Sequence, residues 1–157
     1  MKIIYRMAVP EDAQELARVR WSFRTELAHS APKATYEEYV AATADFICTG
    51  LQSGEWFAWL AEVENRIVGN VFVRQIRKIP NPRRLLETIL YITNVYVAPS
   101  QRGAGIGSTL IQQVQAWAKA QGNVDVAFLW RSDDSAAFYQ RAGFSPNDEI
   151  MEWSADG

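Results

Sequence analysis

The chain has 157 residues, enough for one domain with a sizeable core. A formal net charge of -2 and an isoelectric point of about 5.5 exclude a global basic field that would draw it to nucleic acid or anionic lipid. The single cysteine, Cys48, excludes an intramolecular disulfide and fits a reducing compartment.

Arg6, Glu11 and Asp12 come too early for the apolar region of a signal peptide, and no apolar run approaches the roughly 18 residues of a membrane span. The cytoplasm is therefore the expected setting. There is no repeat, low-complexity tract or linker, so a single domain over residues 1–157 is expected. The first strand is expected over residues 3–7. Pro10 then opens a helix, with Glu11 and Asp12 favourable for its dipole and Leu16, Val19, Phe23 and Leu27 at helical spacing. Residues 28–34 read as a loop. Thr35-Tyr36-Glu37-Glu38 has the form of a capping box and starts a second helix, with Tyr39, Val40, Thr43, Phe46 and Ile47 as its apolar stripe and Gly50 and Gly54 at its end.

Residues 56–63 and 67–76 read as two strands joined by a turn at Glu64-Asn65-Arg66, a hairpin. After a loop at Pro80-Asn81-Pro82, residues 86–97 form a long apolar strand expected to be buried on both faces. Ile106, Leu110, Val114 and Trp117 mark a helix that Gly122-Asn123 stops. Residues 124–130 are a strand. Asp133 or Asp134 caps a short helix running to Arg141, and residues 149–153 are a last strand. The order is β-α-α-β-β-β-α-β-α-β. The crossover over residues 91–130 implies parallel pairing and the hairpin antiparallel pairing. The expected fold is α/β (α+β), a mixed sheet with helices on both faces.

The junction of the long strand and its following helix is the most informative segment. Beyond Pro99 come Arg102 and three alternating glycines, Gly103, Gly105 and Gly107, and a helix begins at once. Unpaired amides at a helix start, reached through a glycine turn, make an anion-binding device. A phosphate-bearing ligand is expected there. A Walker A loop would need a lysine where Gly107-Ser108 stands. A dinucleotide fingerprint would need G-x-G-x-x-G, and this chain has G-x-G-x-G.

The remaining pattern, R-x-x-G-x-G at Arg102, Gly105 and Gly107, resembles the GCN5-related N-acetyltransferases, whose signature strand, pyrophosphate loop and helix look like Val95-Tyr96-Val97 through Gly107-Ser108. A second block agrees. Ser135-Ala136-Ala137-Phe138-Tyr139-Gln140-Arg141-Ala142-Gly143-Phe144 looks like the family's helix ending in Tyr-x-x-x-Gly-Phe. The resemblance covers nearly the whole chain and implies a mostly antiparallel sheet.

It also implies transfer of an acetyl group from acetyl-CoA to a primary amine of a small molecule, peptide or protein. Backbone groups around Val95, Tyr96 and Val97 would meet the pantetheine. The amides of Arg102, Gly103, Ala104, Gly105, Ile106, Gly107 and Ser108 would hold the pyrophosphate. Tyr139, neutral at pH 7 with a reference pKa of about 10, would protonate the departing sulfur. Where the family often has an asparagine touching the cofactor, this chain offers Ser132 and Ser135. Some members carry a glutamate on the strand before the loop. Thr93 and Asn94 are not useful bases, so Glu87, acting through water, is the candidate general base. Family members are often dimers, which implies a homodimer.

No metal is expected. His29 stands alone and reads as solvated, and Cys48 as packing. Trp21 is a candidate for the acceptor cleft. Glu26, Glu37, Glu38 and Asp45 would suit a cationic acceptor. The reading that competes with a transferase is an acyl-CoA-binding sensor or assembly module without activity.

Overall fold

The computed structural model describes residues 2–26 and 28–156. Leu27, expected in the first helical stripe, lies outside them. Five strands form one sheet in the order β1-β2-β3-β4-β5, built from Ile4–Met7, Trp56–Val63, Arg66–Arg77, Thr88–Val97 and Val124–Phe128. The first four pair antiparallel and β5 joins β4 in parallel, as the single crossover requires. The helices are α1 (Ala13–Glu26), α2 (Tyr36–Ser53), α3 (Ile106–Gln121) and α4 (Ala136–Arg141). Pro10–Asp12 forms a 3-10 turn ahead of α1. The capping box is as expected: Thr35 Oγ1 accepts from the Glu38 amide and Glu38 returns a carboxylate to the Thr35 amide.

Alternation in the strands divides the core in two. Ala58, Leu60, Ile67 and Phe72 face α1 and α2, packing on Leu16 and Ile47. Trp59, Ala61, Val71, Val73, Leu90 and Ile92 face α3, packing on Ile106, Leu110, Ile111 and Val114. The close seat of α3 depends on Gly69, where a Cβ would stand 2.9 Å from Ile106 Cγ2 and 3.1 Å from the Tyr96 carbonyl oxygen.

Two expectations are corrected. Strand β4 begins at Thr88 rather than at residue 86, and its fully buried residues alternate with half-buried ones, so neither face is fully buried along the whole strand. The continuous burial lies instead in the middle of β2 and β3, which have strands on both sides. Residues 149–153 form no strand: no neighbouring strand pairs with them, and Ile150, Met151 and Trp153 are exposed. No helix among the described residues is long and apolar enough to cross a membrane.

Gly69→Ala is expected to lower stability by about 1–3 kcal/mol through overpacking, because both clashing groups are fixed. Urea denaturation checks this, with the midpoint falling at unchanged slope.

Candidate active site

Strand β4 carries one extra residue. Its register with β3 runs Ile92↔Val73 and Thr93↔Phe72, then resumes at Tyr96↔Asn70, so Asn94 and Val95 together oppose Val71. Asn94 sits at φ 53, a left-handed conformation that asparagine tolerates better than most residues. Asn70, only 1% exposed on β3, donates from Nδ2 to the Asn94 carbonyl at 3.1 Å and braces the bulge. The bulge reverses the facing of β4. Before it, Leu90 and Ile92 face α3; beyond it, Val95 and Val97 do. Asn94 and Tyr96 turn to the other side, where Asn94 lines a cavity and Tyr96 packs on Phe23 of α1 at 5.1 Å between ring centres.

The second feature is a parting of strands. β5 pairs with β4 only over Thr88–Tyr91. From Ile92 onward β4 has a strand partner on one edge alone, and the backbone of its other edge faces the gap. The strand expected to reach residue 130 ends at Phe128, and Trp130 turns out to solvent against Tyr91.

The third feature is the loop. A 3-10 turn at Pro99–Gln101 leads to Gly103 at φ 84 and Gly105 at φ 75, which caps α3 in the left-handed region. Glycine removes the steric cost of both. The first backbone bond of α3 is from the Thr109 amide to the Gly105 carbonyl, so the amides of Ile106, Gly107 and Ser108 precede the helical ladder. Ile106 is buried and anchors the turn, while Arg102, Gly103, Ala104, Gly105 and Ser108 are exposed. The side chain of Arg102 folds back: Nε donates to the Val97 carbonyl at 3.0 Å and Nη2 pairs with Glu26 at 2.8 Å. It ties the loop to β4 and α1.

The two sequence blocks meet. A Cβ at Gly107 would lie 3.3 Å from Phe138 and 3.7 Å from Val97 Cγ2. Tyr139, beside Phe138, packs with Val95, Val97 and Phe144 against the α3-side core. Burial pushes its phenol above the ordinary tyrosine value, so it holds its proton. Ser132 and Ser135 bond to one another at the start of the turn before α4, with the Ser132 amide on Ser135 Oγ at 3.0 Å.

Glu87 is not brought to this place. It stands before the start of β4, seven residues from Asn94, or about 23 Å along a strand. It is held by Lys78 at 2.9 Å and Arg84 at 3.5 Å. Cys48 packs on the α1/α2 side, away from Tyr139. His29 is exposed, and no cluster of metal-ligating side chains occurs among the described residues. Of the acids noted for a cationic acceptor, Glu26 is taken by Arg102 and Glu38 by its capping box.

On the α1/α2 side a cavity of about 460 Å³ is lined by Arg20, Tyr39, Phe46, Trp56, Phe72 and Tyr91, with Thr93 and Asn94 at its floor. Trp21 is not on its wall but stands against Tyr39, which is. Arg20 and Asn70 are not among the residues the sequence singles out, and Asn94 is considered there only as a base and set aside. The available signal was Asn94, a polar residue able to take positive φ inside an apolar strand.

The family model for the acetyltransferase (GNAT) domain matches residues 54–146, and the chain belongs to that family. It is 34% identical over 65 residues to an aminoglycoside N(6')-acetyltransferase type 1 from Acinetobacter genomosp. 13, a stretch covering 40% of this chain and 44% of that one. The chain spans less than half the length of the curated relatives it matches. Among solved structures it is similar to a predicted acetyltransferase from Clostridium acetobutylicum with acetyl-CoA, at TM-score 0.76 and 23% identity over 98% of this chain and 96% of that one. It is also similar to a GCN5-related N-acetyltransferase from Ralstonia eutropha, at TM-score 0.74 and 25% identity over 98% and 99%.

Gly105→Ala is expected to cost about 1–2 kcal/mol, the penalty of a left-handed side chain, because nothing crowds the position. Gly105→Asn should cost less. Chemical denaturation of the two variants side by side measures the difference.

Proposed function

We propose that this chain is an acetyl-CoA-dependent N-acetyltransferase that moves the acetyl group directly to a primary amine. The observation that carries the reading is the meeting of glycine loop, parted β4 edge and Tyr139 around one cluster of side chains. Acetyl-CoA, when bound, supplies the activated acetyl group. The residues fit it: the amides of Ile106, Gly107 and Ser108, which precede the helical ladder behind an exposed glycine turn, suit a diphosphate, and the free edge of β4 suits the amide groups of a pantetheine arm.

The backbone groups of Val95 and Val97 along that edge meet the arm, and the single N–H of Val95 stands as donor for negative charge developing on the acyl oxygen. Tyr139 keeps its phenolic proton through neutral pH and gives it to the leaving sulfur. Ser132 and Ser135 are the side chains offered to the cofactor from the start of α4. Direct transfer is supported by the position of the one cysteine on the far face of the sheet. The same reading includes a cytoplasmic setting and a homodimer.

No carboxylate lines the cavity. The proton of the entering ammonium therefore leaves to water, and the acceptor reacts as the fraction already neutral. A second reading draws on the same fact: a CoA-binding module without turnover. Acetyl-CoA offered with a panel of amines separates them, since only the transferase makes N-acetylated product.

Two outcomes are expected of the pH profile. The acidic limb of kcat/KM should follow the ammonium pKa of whichever acceptor is used; a limb fixed between pH 4 and 7 for all acceptors would reveal a base on the protein. The alkaline limb should lie above pH 10, because the pKa of Tyr139 is raised and its proton is lost only beyond that. Tyr139→Phe should lower kcat by about 100-fold and abolish the alkaline limb. Unchanged rate and profile would remove Tyr139 from the proton-donor role.

A further inference from the structure

The cavity beside the bulge has the chemistry of an anion site set in an aromatic wall. Arg20 is the one lining residue with a full charge, and no Asp or Glu lines the cavity. Arg20 is half-buried and has no carboxylate partner among the described residues. Its Nη1 donates to Asn94 Oδ1 at 2.5 Å. A guanidinium has donors only, so the Asn94 amide turns its oxygen to Arg20 and its nitrogen away. Asn94 is 8% exposed, and its Nδ2 is buried with no hydrogen-bond partner. A half-buried cation held only by a neutral group is a costly arrangement that an anionic ligand would relieve.

The rest of the wall is uncharged and largely aromatic or aliphatic, with hydroxyls only on Tyr39, Thr43, Tyr91 and Thr93. Trp56 meets Phe72 and Tyr91 edge-on, each at 6.5 Å between ring centres. One face of Trp56 already carries the Arg74 guanidinium at 5.9 Å, which disfavours a further cation there. The neighbouring hollow does contain Asp45 and Glu55, but Glu55 is neutralised by Arg74 at 2.7 Å and Asp45 is exposed, where solvent and salt screen it. A polycation finds little to hold it in the main cavity.

We propose that the acceptor is a small aromatic amino acid, with its carboxylate on Arg20 beside Asn94 and its ring against Trp56, Phe72 and Tyr91. This rests on the transfer reading above and names the acceptor class for it. An α-amino acid carries amine and carboxylate on one carbon. A carboxylate held at Asn94 is therefore next to Val95, the donor assigned to the acyl oxygen.

The test compares kcat/KM, expressed per neutral amine, for L-phenylalanine, phenethylamine (same ring, no carboxylate) and kanamycin, an aminoglycoside. L-Phenylalanine is expected to exceed phenethylamine by about 10- to 100-fold, mainly through KM, with kanamycin slowest. Arg20→Met should erase most of that ratio and Arg20→Lys restore part of it. Phenethylamine or kanamycin as the best substrate, or a ratio that survives in Arg20→Met, overturns the proposal. So does an absence of turnover across the panel by protein whose melting temperature rises with CoA. If CoA leaves the melting temperature unchanged, the transfer reading itself fails. The wild-type comparison stands even where a variant does not fold.

Discussion

One inserted residue in β4 decides where the chemistry can occur. With uninterrupted alternation, the side that holds Leu90 and Ile92 would also hold Asn94 and Tyr96. The bulge at Asn94 exchanges the faces, so Val95 and Val97 join the α3-side core with Tyr139, while Asn94 opens onto the opposite cavity beside Arg20. A single backbone irregularity thus turns the side chains at the end of the glycine-loop strand to one side of the sheet and Asn94 to the cavity on the other. Asn70, bonded to the Asn94 carbonyl from the next strand, is the brace that holds this arrangement.

The bulge works together with the separation of β4 and β5. Parallel pairing stops at Tyr91, three residues before Asn94, so the reversed segment is also the segment with a free backbone edge. The glycine loop then starts α3 beside that edge. An anion at one helix end gains only about 0.3–1 kcal/mol when exposed, so a single helix terminus would bind weakly. In the proposed reading, several loop amides together with the open edge of β4 would give an extended ligand many modest contacts along its length; Gly107, packed under Phe138, ties the loop to the helix that carries Tyr139.

Much of this was readable in the residues. The capping box at Thr35, the hairpin over Glu64-Asn65, the crossover through α3 and the two blocks around Gly105 and Tyr139 are local signals, each set by a few neighbouring residues, and they stand where expected. What escaped depends on distant partners. Asn94 reads as a polar interruption in an apolar strand, and only its register against Asn70 and Val71 makes it a bulge. Arg20 reads as an ordinary polar position on an amphipathic helix until the β4 floor is brought beneath it. Glu87 was judged by chemical type, and the length of the strand carries it far from Asn94 into an ion pair with Lys78. Residues 149–153 are apolar enough to read as a strand but find no edge to pair with, because a strand needs a partner that its own sequence does not specify.

The account stands or falls on backbone amides of residues 103–108 and of Val95 and Val97 holding one coenzyme A molecule. Amide-resolved NMR of the ¹⁵N-labelled chain, titrated with CoA, observes those groups individually. The expected result is saturable shifts concentrated at those amides and at Tyr139, with the α1/α2 cavity little changed. Saturating CoA that leaves the loop amides unmoved, or that shifts a different surface, would contradict it.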